Sequence, residues 1–252
     1  MMQMSLGQSV QKNCSTCGME YTASSAEDRK LHDKYHKQNL EGYDVGKEFV
    51  SRTKQWRKQY GVFTGVRAGD AIVYLDCFDH GKRKNRGQAV LEIVQRELGA
   101  VPIPERQIWD LKVAQCESML DAPYKAYLYI RGTKCVGFLL VQKIGKAYKA
   151  RKQREAAAEK AIVQEMKEAA QHLVQFSSDA HPAVVGISRI WTSSTVRGQG
   201  IAKRLIEVAI KRHNIMAIEH KEQVAFSQPT DAGAKLARKW YGRAYGWSVY
   251  LE

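Results

Sequence analysis

Two groups of residues in this chain have types and spacing that chemistry can use. The first is Arg197-x-x-Gly200-x-Ala202, inside the run Ser188-Arg189-Ile190-Trp191-Thr192-Ser193-Ser194-Thr195-Val196-Arg197-Gly198-Gln199-Gly200-Ile201-Ala202-Lys203. The run reads as an apolar strand emptying into a glycine-bearing turn that opens a helix. Small residues at Gly198, Gly200 and Ala202 let main chain approach a diphosphate closely, and the unpaired N–H groups of the first helical turn point at its anionic oxygens. Gln199, Ile201 and Lys203 complete the cradle. The second group is Cys14-x-x-Cys17 followed by His32 and, with three residues between, His36. Two thiolates and two imidazoles at these intervals are the ligand set of a tetrahedral zinc site.

The elements around each group decide whether it is fortuitous. A lone glycine turn also fits an ordinary strand-to-helix connection. Here, however, Ala183 to Trp191 supplies a β-branched strand upstream, and Ile201, Leu205, Val208 and Ala209 recur at helical spacing downstream. Around the metal ligands, Met19 to Thr22 can form a returning strand and Ser25 to Lys37 a helix. On that helix His32 and His36 are four apart and share a face. Tyr21 and Leu31 are the expected apolar cover for a unit too small to stay folded without metal. The alternative is two unrelated thiols and two surface histidines. Cys77, Cys116 and Cys135 have no partner spacing and read as core filler.

The rest of the chain gives a mixed α/β order. A polar connector over 38–46 precedes a basic, aromatic segment at Phe49 to Tyr60 that reads as helical. Asp70 to Asp76 reads as a strand, Lys82 to Arg86 as a basic loop, and Gln88 to Leu98 as a helix. Tyr124 to Ile130 and Cys135 to Val141 form a hairpin across Arg131-Gly132-Thr133-Lys134. Ala150 to Leu173, rich in Ala, Glu, Lys and Gln, reads as an inserted helix. A strand at Val224 to Ser227, a helix from Thr230 to Tyr241 and a strand from Trp247 to Leu251 close the chain. The expected domains are a tail over 1–12, a zinc finger over 13–38, a connector over 39–69, and a catalytic domain over 70–252 with an insertion at about 146–176.

Composition narrows the function classes. The 252 residues suffice for one principal domain and a small one. Forty Lys and Arg against 26 Asp and Glu give a net charge of +14, which favours polyanionic partners: a phosphorylated cofactor, an acidic protein surface, or DNA. No apolar run has membrane-span length and no signal peptide is evident, so a soluble, unsecreted protein is expected. Five cysteines without a regular framework fit a reducing compartment.

The strand-turn-helix resembles the acetyl-CoA loop of GNAT-type N-acetyltransferases. More specifically, Gly186-Ile187-Ser188-Arg189-Ile190-Trp191, the Arg197 to Ala202 loop, Phe226-Ser227-Gln228-Pro229-Thr230-Asp231 and Lys235-Leu236 resemble the cohesin acetyltransferases that establish sister-chromatid cohesion. Members of that family carry a finger in the same place. The resemblance implies an α/β (α+β) fold in which a GNAT-type mixed sheet is flanked by helices and preceded by a two-Cys two-His finger. It implies transfer of acetyl from acetyl-CoA to lysines of an SMC-type cohesin subunit, in the nucleus on chromatin during DNA replication.

A lysine ammonium, with a solution pKa of about 10.4, must lose a proton before it attacks a thioester, and the developing oxyanion needs a donor. In GNAT folds the donor is a backbone N–H before the loop, here in Ile190, Trp191 or Thr192. By resemblance Ser188 and Glu207 are tied to catalysis or substrate contact. The residue after "FS" is Gln228, where the vertebrate enzymes have Asp, so the simplest carboxylate base is missing. In its place stand Asp231 as an alternative base, Glu207 or Ser188 as a relay through water, or desolvation with substrate carboxylates; Gln228 is a substrate-orienting contact, and Tyr241 a proton donor to the leaving thiolate or a packing residue. Glu207 also reads as a solvated residue paired with Lys203 or Lys211, and Ser188 as a strand hydroxyl bonded to backbone.

Three further features remain open at this level. The basic stretches Lys82 to Arg86 and Lys143 to Arg154 read equally as functional surfaces (import signals, DNA contacts or a face complementary to an acidic substrate) and as solvated faces. Gln3-x-x-Leu6 resembles a sliding-clamp peptide without its aromatic pair. Rival functions are a finger-bearing DNA-binding module, for which one finger reads only about three base pairs, and a GNAT enzyme acting on histones or a small amine.

Overall fold

Period-two alternation in the central strands builds a sheet with two buried faces. The computed structural model describes residues 11–15, 17, 19–51, 61–114, 122–151, 176–212, 218–227 and 229–251. The finger comprises β1 (Gln11–Asn13), β2 (Glu20–Thr22) and α1 (Ala26–Glu41). There follow β3 (Tyr43–Asp44), β4 (Val62–Thr64), β5 (Ala71–Leu75), α2 (Gly81–Leu98), β6 (Tyr124–Arg131), β7 (Lys134–Lys143), β8 (Lys146–Ala150) and β9 (Phe176–Pro182). The chain then forms β10 (Val185–Thr192), α3 (Ile201–Arg212), β11 (Val224–Phe226), α4 (Asp231–Tyr241) and β12 (Ser248–Val249).

The large sheet runs β4-β5-β6-β7-β10-β11-β12-β8-β9, with β3 added to β7. Its β10–β11 and β11–β12 pairs are parallel and its other pairs antiparallel. On one face Val73, Leu75, Leu128, Phe138 and Leu140 pack against α2 residues Val90, Leu91 and Val94. On the other, Ile72, Tyr74, Tyr127, Tyr129 and Leu139 pack against α3 and α4. Neighbours in sequence thus serve opposite cores, as the pleat requires. Gly137 lets α3 approach β7: a Cβ there would stand 2.8 Å from Ile201 Cγ2 and 3.1 Å from Tyr129 Cβ.

The expected hairpin, the strands around the cofactor turn and the last long helix lie where their patterns place them. Other expectations change. Lys82 to Arg86 is the first turns of α2 rather than a loop, because Lys84 Nζ donates to the Trp109 carbonyl at 2.9 Å and Arg83 Nη1 to that of Phe49 at 2.8 Å. The connector supplies β3 and β4 to the sheet. Of the Phe49 to Tyr60 helix, Glu48–Ser51 is helical and 52–60 lies outside the described residues. The inserted helix at Ala150 to Leu173, Cys116 and the Gln3–Leu6 peptide also lie outside them, apart from Ala150, which ends β8, and Arg151. Burial pushes the Cys135 thiol up to about 12, so it is an inert core group.

Candidate functional site

The site begins with one extra residue in β10. Against β7, Ile187 pairs with Val141 and Arg189 with the next residue back, Leu140, so Ser188 is a β-bulge. On the opposite edge the parallel ladder to β11 stops at Ile187–Phe226, closed by Ser227 N donating to the Ile187 carbonyl at 3.0 Å. A bulge bends and twists its strand, and here β10 leaves β11 at the bulge. The gap opens into a cavity of about 570 Å³. It is lined by β10 from Ile187 to Thr192, by Phe226 of β11 and Ser227 just after it, and by the first turns of α4. Arg197 and Ala202 also contribute to the lining, as do Glu97 to Ala100 at the end of α2.

The turn after β10 has the backbone that its glycines predict. Gly198 and Gly200 adopt φ of +78° and +83°, left-handed values that cost any residue with a Cβ. The first bond across the start of α3 runs from Arg204 N to the Gly200 carbonyl at 3.0 Å. The amides of Ile201, Ala202 and Lys203 therefore precede it and have no intrahelical acceptor. Together with the positive end of the helix dipole they form a site suited to a phosphate. Ile201 is buried beside Gly137, which fixes the helix start on the sheet. Lys203 is exposed. The Gln199 side chain, rather than facing the cavity, accepts Arg131 Nη1 at 3.1 Å.

Arg131 belongs to a brace that sequence reasoning missed. Its Nη2 lies 2.8 Å from Asp70 Oδ2, which also accepts the Tyr129 hydroxyl at 2.7 Å. Burial pushes the Asp70 carboxyl up, but the hydrogen bonds from Arg131 and Tyr129 and the Arg131 charge outweigh it and hold Asp70 below the ordinary carboxylate value. Asp70 and Arg131 sit in strand-edge positions with no motif, so only the pairing of β5 with β6 reveals them.

The remaining candidates separate into those facing the cavity and those that do not. Ser188 is buried in the cavity wall, with Arg189 Nη1 donating to its carbonyl at 2.8 Å and to its Oγ at 3.2 Å. Ile190, Trp191 and Thr192 line the cavity beside it, and Trp191 Nε1 donates to Glu97 Oε2 at 2.6 Å. Glu207 lies on α3 away from the cavity lining, 3.9 Å from Lys203 Nζ and 3.8 Å from Arg204 Nη1. Asp231 is exposed in the first turn of α4, whose neighbours Thr230 and Ala232 line the cavity. The Tyr241 hydroxyl donates to the Lys221 carbonyl at 2.8 Å and to that of Val224, and burial raises its pKa. Gln228 lies outside the described residues. Sequence reasoning also missed Glu97 and Arg189; a buried arginine inside an apolar strand was the available signal for the second.

Cys14, Cys17, His32 and His36 converge, with all four donor atoms within 4.8 Å of one another. Cys14 Sγ lies 3.4 Å from His36 Nδ1 and Cys17 Sγ 3.6 Å from His32 Nε2. Tetrahedral zinc with Zn–S of about 2.3 Å and Zn–N of about 2.05 Å implies S···N separations of roughly 3.6 Å, so the tetrad fits that ion. Tyr21 covers it, stacked on His32 at 4.1 Å. Leu31 does not: it is 57% exposed, because it lies off the face shared by the two histidines.

Comparison with known proteins agrees with this geometry. Residues 181–250 match the family model of the ESCO1/2 acetyl-transferase, and residues 2–38 that of the zinc-finger of acetyl-transferase ESCO. The chain is 30% identical to N-acetyltransferase ECO1 of Saccharomyces cerevisiae over 91% of its own length and 83% of that protein's. It is 29% identical to N-acetyltransferase eso1 of Schizosaccharomyces pombe over 90% of its length, but spans only 23% of that relative. The solved xEco2 acetyltransferase domain bound to a K105-CoA conjugate superposes with a TM-score of 0.57 at 22% identity, covering 75% of this chain and 96% of that one. The bulged strand, the left-handed glycine turn and the two-Cys two-His tetrad occur together in a chain that belongs to the Eco1/ESCO N-acetyltransferase family.

Proposed function

We propose that the protein transfers acetyl from acetyl-CoA to lysines of an SMC-type cohesin subunit, and so establishes sister-chromatid cohesion during DNA replication in the nucleus. The observation that carries the reading is the parting of β10 from β11 at the Ser188 bulge, directly upstream of the left-handed Gly198/Gly200 turn. In this reading the diphosphate lies on the amides of Gly198 to Lys203, Arg197 adds charge, and the pantetheine arm enters the gap between β10 and β11. The acceptor lysine then comes from the α2 side, where Glu97 to Ala100 form the wall.

The chemistry follows from that placement. The ammonium loses a proton, the amine lone pair forms a C–N bond to the thioester carbonyl, and the resulting oxyanion takes an N–H from the Ile190 to Thr192 backbone. The C–S bond then breaks and the thiolate takes up a proton. Ser188 is the first choice for relaying protons because it faces the cavity. Glu207 and Asp231 rank after it, since a water would have to bridge either one to the reacting atoms. Gln228 serves as a substrate-orienting contact and Tyr241 as packing. Cys14, Cys17, His32 and His36 hold zinc in a closed four-ligand site that is structural. The proposed organisation is a tail over 1–12, the finger over 13–38, a connector over 39–69 that also adds β3 and β4 to the sheet, and the transferase over 70–252, with the insertion proposed at about 146–176 narrowed to the stretch between β8 and β9.

Acetylation of a purified SMC head domain, compared with histone peptides and small polyamines under matched acetyl-CoA, tests the reading. Preference for the SMC head is expected; equal or better use of histone tails overturns the substrate assignment. Binding of the sliding clamp by a peptide spanning residues 1–12, and of duplex DNA by the intact chain, tests the two further partners. No described helix is long and apolar enough to cross a membrane.

A further inference from the structure

We propose that Ser193 and Thr195 are positioning residues for the acetyl-CoA loop, which they hold by gripping one carbonyl at the end of the finger helix. The inference rests on the reading of Arg197 to Ala202 as the diphosphate site. α1 ends at Glu41, and the Gly42 amide takes the Gln38 carbonyl at 3.0 Å. The last carbonyls of a helix have no partner within it. That of Leu40 accepts two hydroxyls, Ser193 Oγ at 2.8 Å and Thr195 Oγ1 at 2.7 Å. Both oxygen lone pairs are thereby used, and the two hydroxyls lie 3.3 Å apart.

These contacts fall at the start of the loop. Ser193 is fully buried, with its amide on the Val136 carbonyl at 2.9 Å, so its main chain is fixed to β7. The 3-10 turn Ser194–Val196 grows from it, Val196 N bonding to the Ser193 carbonyl at 3.1 Å, and Arg197 follows at once. Further along the loop Arg131 holds Gln199. The loop is therefore suspended between the catalytic sheet and the finger. α1 also carries His32 and His36, so the helix that presents the Leu40 carbonyl is the one that the metal site orders. A second tie runs to the end of α2, where the Arg96 guanidinium lies over the Tyr35 ring at 5.7 Å, one residue before the cavity-lining Glu97. In this arrangement the finger's fold sets the affinity of the donor site.

The double variant Ser193→Ala/Thr195→Val tests the link. Isothermal titration calorimetry is expected to show acetyl-CoA binding weakened roughly tenfold, as loss of two hydrogen bonds predicts. The KM for acetyl-CoA should rise in parallel, while kcat at saturating donor and the acceptor KM change less than twofold and bound zinc is retained. Breaking the finger with Cys14→Ser should weaken acetyl-CoA binding in the otherwise native chain and add little in the double variant. Unchanged affinity in the double variant overturns the proposal, as does an equal further loss from Cys14→Ser in both backgrounds. Should Cys14→Ser not fold, hydrogen exchange in the double variant decides: faster exchange is expected at residues 194–202 with the finger's protection unchanged, and native protection of 194–202 refutes it. Native protein that binds no acetyl-CoA at all instead sinks the diphosphate reading.

Discussion

Replacing Gly200 by alanine separates the backbone requirement of the loop from every other property. A Cβ at Gly200 would meet no atom within 4 Å, so the substitution adds no clash inside the protein. Its cost comes entirely from φ of +83°, a left-handed value that costs an L-residue about 1–2 kcal/mol. Where that cost appears depends on what the loop does. A loop that keeps its shape loses about 1–2 kcal/mol of stability, a fall in Tm of roughly 2–8 °C for a chain of this size, with acetyl-CoA binding nearly intact. A loop that relaxes to negative φ keeps its stability but turns its amides away, and binding must restore the strained form, weakening the Kd about 5- to 30-fold. Calorimetric titration with acetyl-CoA and thermal unfolding of the same samples read both quantities, and the two losses should sum to about 1–2 kcal/mol. Native Kd together with native Tm would show that the bound loop needs no left-handed residue at 200, and the diphosphate assignment would fall with it. Gly200→Val adds a branched side chain where the diphosphate is placed and should abolish binding while zinc stays bound.

Other expectations are open to equally direct measurement. Asp70→Asn leaves Arg131 facing a neutral amide and should cost about 3 kcal/mol in urea unfolding at neutral pH. Because the folded Asp70 pKa is depressed, the stability it contributes is present above the ordinary carboxylate pKa and lost as pH falls through the folded value. The gap between native and variant should therefore close as the pH falls below the ordinary carboxylate value of about 3.9, and a gap that stays constant under acid would place the stabilisation elsewhere. Ser188→Ala should lower kcat at least tenfold with an unchanged acetyl-CoA Kd; full activity removes Ser188 from the proton path. Tyr241→Phe deletes a hydroxyl bonded to the Lys221 and Val224 carbonyls and should cost about 1 kcal/mol of stability with kcat unchanged, whereas a tenfold loss of kcat at native Tm would make Tyr241 the proton donor.

Much of the site was legible because its signals are local. A glycine at left-handed φ announces itself by type, and the turn at Gly198 and Gly200 needed no tertiary information. The four metal donors are likewise spaced by a turn and a helix, both local objects. The Ser188 bulge was not legible in this way: that Ile187 and Ile190 share one core, although a regular strand puts residues three apart on opposite faces, shows only in the strand register. The basic run Lys82 to Arg86 was misread because charge says nothing about conformation, and its helical state follows from carbonyl partners at Phe49 and Trp109, far off in sequence.

The chain's order of residues determined the left-handed glycine turn proposed to hold a diphosphate and the four donors suited to zinc, since both depend on residue type at short range. Tertiary structure alone decided that Gln199 faces Arg131, that Glu97 and Arg189 stand in the cavity wall, and that Leu40 offers its carbonyl to Ser193 and Thr195. Each of those contacts joins segments tens of residues apart or more. Their energy is gained only after the sheet has closed the intervening loops, so no local pattern carries a record of them.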